Sequence, residues 1–350
     1  MSDDATRVLI AMDKFRGTAT AKELCRTIAG VAADAGCTSD VQPMSDGGEG
    51  FVDAFAGEVL DVDVPGPLGE TVSARIKLVA SPTGLTAVIE VSDAVGRNLL
   101  PHPRGDEALR ASSDGVGDLI LAASRLGADS VLLGCGGTAA SDGGLGCYRV
   151  LSEHGGLPLP VTVATDVTAP FLDARNYASQ KGVRGADLPT VDRRLSDARA
   201  LYLEERGVDV TTIAGTGAAG GIPGALVALG ASLTSGVHLV VEAVDLGGRA
   251  ALASMVITGE GRFDAGSLEG KVPVGVAQAT GAATPLLLVC GSVDEGAAQE
   301  FQERFPHATI ASLEDRFGID RALGDVHDCV SQVVRDALRG EFPRAARVTR

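Results

Sequence analysis

Short apolar runs alternate along the chain with stretches whose apolar residues recur every three or four positions, and glycine-rich polar segments separate the two. Val8-Leu9-Ile10-Ala11 reads as a buried strand. Thr20-Ala21-Lys22-Glu23 has the spacing of a capping box, and Leu24, Ile28, Val31 and Ala32 then fall on one helical face. Further strand-like runs are residues 87–89, 131–133, 161–164, 237–241, 255–258 and 286–289. Helical faces recur at Leu119, Ile120, Ala123 and Leu126, at Leu195, Ala198 and Tyr202, and at Val326, Val330, Val333, Val334 and Leu338. Strands followed by helices predict parallel pairing and βαβ units, so the class is α/β. Most strands run straight into a Gly- or Asp-rich loop. In open parallel sheets ligands bind at the carboxyl ends of the strands, which directs attention to those loops.

Composition supports this pattern. The 350 residues allow two domains, and with 45% apolar residues, 3% aromatics and no Trp the core must be built from Ala, Val, Leu and Ile. A formal net charge of -16 repels phosphate backbones and anionic lipid, which argues against nucleic-acid and membrane partners. A few focused cations in a cleft could still receive an anionic substrate. The six cysteines are scattered without a C-x-x-C pair and read as reduced, mostly buried thiols. No run approaches the ~18–20 apolar residues that span a bilayer. The start, Met1-Ser2-Asp3-Asp4, is acidic with no signal-like stretch, so the expected compartment is the cytoplasm. The Pro65-Gly66-Pro67-Leu68-Gly69 turn cluster is the best candidate for a domain boundary.

Five loops could carry chemistry. Asp13-Lys14-Phe15-Arg16-Gly17 puts two cations and a carboxylate at a strand end, where they could clamp an anion. Ser45-Asp46-Gly47-Gly48-Glu49-Gly50 offers successive amides as an anion nest, with Asp46 and Glu49 able to hold Mg²⁺ or accept a proton. Residues 134–144, rich in glycine, follow a strand and have the anatomy of a phosphate cradle, with Asp142 placed to bind a metal. Gly215-Thr216-Gly217-Ala218-Ala219-Gly220 is a formal G-x-G-x-x-G after Thr211-Thr212-Ile213, the case for a dinucleotide oxidoreductase. The last loop gathers Glu260, Arg262, Asp264 and Lys271 without matching a Walker A loop. The five histidines lie outside these loops and form no H-E-x-x-H, which argues against a zinc hydrolase or a Ser-His-Asp enzyme. Carboxylates, Lys/Arg and glycine nests are the inventory of phosphoryl transfer.

Together these loops resemble the type-1 glycerate kinase family. The matching segments include DKFRG (residues 13–17), SDGGEG (45–50), GPLGE (66–70), GCGGTAASDGGLG (134–146), ATDV (164–167), QKG (180–182), GTGAAGG (215–221) and VITGEGRFD with SLEGKVPVGVA (256–277), in the family's order. The resemblance implies two α/β domains with the active site in the cleft between them. A Rossmann-like domain would be built from both chain ends, residues 1–66 and 245–350, and a second α/β domain, residues 67–244, inserted in the middle. It further implies ATP with Mg²⁺ as donor and D-glycerate as acceptor, typically phosphorylated at the 2-hydroxyl, and leaves a homo-oligomer open. The chain departs from the family where Ala169-Pro170-Phe171 replaces Asn-Pro-Leu and where the stretch after Tyr148 is short. A catalytically impaired, metabolite-binding paralogue is the rival those departures suggest.

On this reading Lys14 and Arg16 face the substrate carboxylate or the moving phosphoryl group. Asp46, Asp142 and Asp166 share metal binding and proton acceptance, with Asp46 and Asp142 the two candidates for the base. Ser45, Gly47, Gly48, Glu49, Gly136, Gly137 and Thr138 cradle phosphate, and Lys181, Glu260, Arg262, Asp264 and Lys271 complete the site.

Overall fold

The structure, a computed structural model, describes residues 6–81 and 84–341; the acidic Met1–Asp4 start lies outside them. Among the described residues eleven strands occur in chain order: β1 (Arg7–Met12), β2 (Thr38–Val41), β3 (Glu58–Pro65), β4 (Thr71–Ser81), β5 (Gly84–Glu90), β6 (Ser130–Gly134), β7 (Val161–Ala164), β8 (Ser232–Thr234), β9 (Met255–Phe263), β10 (Leu286–Val293) and β11 (Ala308–Ser312). The fold is α/β, and the chain divides into two compact units, Met1–Asp46 with Val237–Arg350, and Gly47–Gly236.

The first unit holds a five-stranded, wholly parallel sheet in the order β11-β10-β9-β1-β2. β1 is buried on both faces, which is why it reads as a continuous apolar run. Val8, Ile10, Met12, Ile257, Leu287 and Val289 point to one face and join a core with Leu24 and Ile28 of helix Ala21–Asp34 and Val330, Val333 and Val334 of helix Val326–Leu338. The first helix starts at the expected capping box: Thr20 Oγ1 accepts the Glu23 amide at 3.2 Å and Glu23 Oε2 accepts the Thr20 amide at 2.9 Å.

The second unit holds a six-stranded sheet in the order β3-β4-β5-β6-β7-β8. β5 to β8 are parallel, but β3, β4 and β5 pair antiparallel, so the sheet is mixed where βαβ units alone were expected. Along β3 the exposed Val59, Asp61 and Asp63 alternate with the more buried Leu60, Val62 and Val64, the pattern of an edge strand with one face at the solvent. The Pro65-Gly66-Pro67-Leu68-Gly69 cluster forms the β3–β4 turn.

One element differs in type. Residues 237–241, read as a strand from their β-branched composition, belong to a helix, Gly236–Ala243. Val237 and Val240 are buried while His238 is exposed, a helical spacing, and Gly275 lets the helix approach closely: a Cβ there would meet Val237 Cγ1 at 2.1 Å. A short apolar run fits either element until its partners are known.

Candidate active site

In the first unit β1 lies between β2 on one side and β9 on the other, so the direction in which successive strands are added reverses at β1. This is the topological switch point of a 2-1-3-4-5 sheet, where the loops leaving two neighbouring strands diverge and open a crevice. Asp13, Lys14 and Arg16 follow β1 there, and Glu260 lies near the carboxyl end of β9. The Asp13 amide bonds Gly259 O at 3.0 Å, which fixes this residue at the strand end.

Lys14 Nζ lies 3.3 Å from Asp46 Oδ1 and 3.5 Å from Asp13 Oδ1, with both carboxylates and the ammonium largely shielded from water. Burial pushes the Asp13 carboxyl up to about 6; Lys14 opposes the shift and Asp46 adds to it. Burial also works against the Lys14 ammonium, but Asp13 and Asp46 outweigh it and hold its pKa above the ordinary lysine value. Glu260 is 6% exposed, and its Oε1 has no hydrogen-bond partner. Burial pushes its carboxyl up to about 7, against the pull of Ser267 and Lys271 and helped by Asp13 and Asp264. Asp264 is turned to local work: its Oδ1 accepts the Gly266 amide at 3.0 Å and caps the turn Ala265–Glu269. Arg262 reaches solvent beside it, at 3.4 Å. Ser45 is fully buried next to Asp46, and Arg16 is exposed.

In the second unit the two glycine turns meet backbone to backbone: a Cβ on Gly136 would stand 3.1 Å from the Glu49 amide nitrogen and 3.3 Å from the Gly48 carbonyl carbon. Gly47 takes a left-handed φ of 93°, and a Cβ there would stand 2.8 Å from Ala164 O. Glu90, the buried last residue of β5, ties this turn down. Its Oε1 accepts the Val52 amide at 2.8 Å, and its Oε2 accepts the Gly50 amide at 3.3 Å and the Ser92 hydroxyl at 3.0 Å. Gly137 carries Arg97 beside it, bonding the Arg97 amide at 2.9 Å. Thr138 Oγ1 donates to Val95 O at 3.0 Å and accepts the Ala140 amide at 3.1 Å.

Asp142 is fully engaged. Its Oδ2 accepts the Ser113 hydroxyl at 2.7 Å, the Ser113 amide at 3.0 Å and the Gly146 amide at 3.1 Å, and its Oδ1 accepts the Gly144 amide at 3.0 Å. Such a carboxylate fastens two helix starts, Asp114–Arg125 and Leu145–Glu153. Lys181 is buried with its Nζ 2.6 Å from Ala140 O; burial drags its pKa down to about 7, with Asp142 resisting and Arg97 assisting. Asp166 is exposed just beyond β7.

The sequence-named residues therefore form two groups. Lys14, Asp46 and Glu260 gather at the switch point of the first unit, with Arg16, Lys271, Asp264 and Arg262 around them. Gly47, Gly48, Glu49, Gly136, Gly137, Thr138, Asp142 and Lys181 gather at the strand ends of the second. Sequence reasoning gave Asp13 no separate role and passed over Glu90; an acid closing each of two buried apolar runs was the available signal. Gly215–Gly221 does not have the anatomy of a dinucleotide loop. Val210–Thr212 is a 3₁₀ turn rather than a strand, and Gly220 and Gly221 take left-handed φ values against Ala140 and Gly143, so the glycines serve packing. Among the described cysteines none is paired, as expected, and burial pushes the Cys25 thiol up to about 12.

The sequence profile of the glycerate kinase family matches residues 8–154 and 158–340. The glycerate kinase of Halalkalibacterium halodurans is 32% identical over 94% of this chain and 96% of its own length. The glycerate 2-kinase of Escherichia coli K12 is 32% identical over 94% of this chain and 96% of its own. A crystal structure from Salmonella typhimurium LT2, of a protein assigned as glycerate kinase 2, matches with a TM-score of 0.73 at 29% identity, covering 96% of this chain and 98% of that one. Fold, site inventory and relatives define a kinase that acts on a small molecule. The chain belongs to the glycerate kinase family, which sets the oxidoreductase reading aside. Among the described residues no helix is long and apolar enough to cross a membrane.

Proposed function

We propose that this protein transfers the γ-phosphoryl group of ATP to the 2-hydroxyl of D-glycerate. The observation that carries the reading is the Lys14 ammonium held between Asp13 and Asp46 at the switch point, close to a buried Glu260 whose Oε1 lacks a partner. Lys14 is fixed by two carboxylates before substrate arrives, so it can meet developing phosphoryl charge with little reorganisation. Glu260, with its carboxyl near 7, is suited to accept the hydroxyl proton at neutral pH. In the transfer the acceptor oxygen bonds the γ-phosphorus, the bond to the β–γ bridging oxygen breaks, ADP leaves with that electron pair, and the proton passes to Glu260.

Among the described residues no group of three or more His, Cys, Asp or Glu forms a metal cluster. A Mg²⁺ ion that arrives on nucleotide phosphates needs only one or two protein carboxylates, and Asp46 fits that part. When bound it would neutralise phosphate charge. Asp142, with four donors on its carboxylate, instead holds the 134–144 turn in shape. That turn and Lys181, at the strand ends of the second unit, are proposed to meet an anionic group of a substrate. Phosphorus NMR of the product formed from ATP and D-glycerate tests the reading: 2-phosphoglycerate is expected, and no phosphorylated glycerate would refute it.

A further inference from the structure

A cavity of about 110 Å³ opens in the first unit beside the carboxyl ends of β9 and β10, bounded by the helices Leu313–Phe317 and Ile319–Gly324. None of the charged residues above lines it. Its floor is bare backbone. Glu260 pairs with Cys290 and Arg262 with Ser292, so Gly261 and Gly291 lie side by side, and no side chain rises from either. Buried Phe15 also lines it. Ile319 and Leu323, one helical turn apart, form a wall, and they remain 55% and 59% exposed although both are large and apolar. Glu314, Ser292 and Thr18 supply the polar positions of the lining.

This lining suits one kind of occupant, a flat ring with apolar faces and a hydrogen-bond-donating edge. The position narrows the choice further. The cavity sits at the ligand-binding edge of a 2-1-3-4-5 sheet, and two of its lining residues are chain neighbours of the phosphoryl-handling cluster. Phe15 follows Lys14 directly, and Gly261 follows Glu260. The backbone of Phe15 and Arg16 passes over Gly261, where a Cβ would stand 3.2 Å from Phe15 Cα and from the Arg16 nitrogen. A planar apolar slot next to a cationic loop matches the two halves of a nucleoside polyphosphate.

We propose that this cavity receives the adenine base of the nucleotide, with Ile319 and Leu323 against the ring and Glu314 accepting from its exocyclic amine. The inference rests on the ATP-donor reading above and adds to it the place where the base is held.

Calorimetric titration of the full chain with ADP, IDP and inorganic tripolyphosphate tests it. Because Ile319 and Leu323 are already exposed, an Ile319→Ser/Leu323→Ser double variant keeps the fold. ADP affinity is expected to fall about tenfold or more in that variant, with tripolyphosphate affinity unchanged. Glu314→Gln is expected to narrow the preference for ADP over IDP, whose base carries an oxygen in place of the amine. Unchanged ADP affinity in the double variant, beside a wild type that binds ADP, would overturn the pocket alone. A wild type that binds neither ADP nor tripolyphosphate would remove the nucleotide-donor reading and the pocket with it.

Discussion

The ammonium of Lys14, just past β1, stands 3.3 Å from the carboxylate of Asp46, just past β2, so the first two parallel strands deliver opposite charges to one point. Asp13 adds a second carboxylate at 3.5 Å. Replacing Lys14 by Met would leave two shielded carboxylates without their cation and the phosphoryl oxygens without a preset donor. The kcat with ATP and D-glycerate is expected to fall by roughly 10²–10³-fold, the usual loss when one preorganised electrostatic contact is removed. A coupled assay that found Lys14→Met within threefold of wild type would exclude Lys14 from the reaction.

Asp46 and Asp142 looked interchangeable in the sequence, and their surroundings separate them. Asp142→Ala strands the donors of Ser113, Gly144 and Gly146 in a buried place, and is expected to destabilise the chain by about 3 kcal/mol or more in urea unfolding. Asp46→Asn is expected to keep most of the stability and lose most of kcat. The opposite pattern would reverse the two roles.

Much of the first unit was legible because its central strands β1, β9 and β10 are buried over most of their length and lead into polar loops, so the apolar runs marked those strands and their ends marked the site. The capping box at Thr20 located a helix start for the same local reason. What escaped depended on distant partners. β3 and the first part of β4, through Lys77, alternate polar and apolar residues near one side of the second sheet and leave no long apolar run. Residues 237–241 became helical because their contacts lie on Gly275, far along the chain. Asp142 could be named from its glycine-rich loop, but its four donors come from two helix starts whose meeting no local pattern announces. Glu260 was named as one acid among several, and only burial singles it out.

On the proposed mechanism Glu260 makes the activity depend on pH. As the proton acceptor it must be ionised, so kcat/KM is expected to rise with pH and level off above about 7. Glu260→Gln should lower kcat by about 10²–10⁴-fold and remove that limb. The same group affects stability. Its folded pKa lies above the ordinary value of 4.5, so between about 4.5 and 7 the native state binds more protons than the unfolded chain. Its contribution is therefore greatest at low pH and is lost as pH rises through about 7, a change on the order of 3 kcal/mol. Thermal unfolding from pH 5 to 8 should show Glu260→Gln gaining on the wild type as pH rises; parallel curves would contradict the assignment.

Lys181 should behave in the opposite sense. Its folded pKa, about 7, lies below the ordinary lysine value of 10.5, because burial penalises the ammonium and its one short contact is a neutral carbonyl, Ala140 O. Below pH 7 the native state must carry that buried charge in full. Between about 7 and 10.5 the folded chain releases the proton that the unfolded chain keeps, so the penalty fades as pH rises. Lys181→Met, which keeps the chain length and removes the charge, is therefore expected to stabilise the protein by a few kcal/mol at pH 6 and by much less at pH 10. If the cation is retained because it meets an anionic group of the substrate, the same variant should raise KM for D-glycerate at least tenfold. Unfolding curves at the two pH values and a KM measurement at pH 7 check both parts. A variant less stable than wild type at pH 6 would show that the Ala140 contact outweighs the burial of the charge, and an unchanged KM would take Lys181 out of the substrate site.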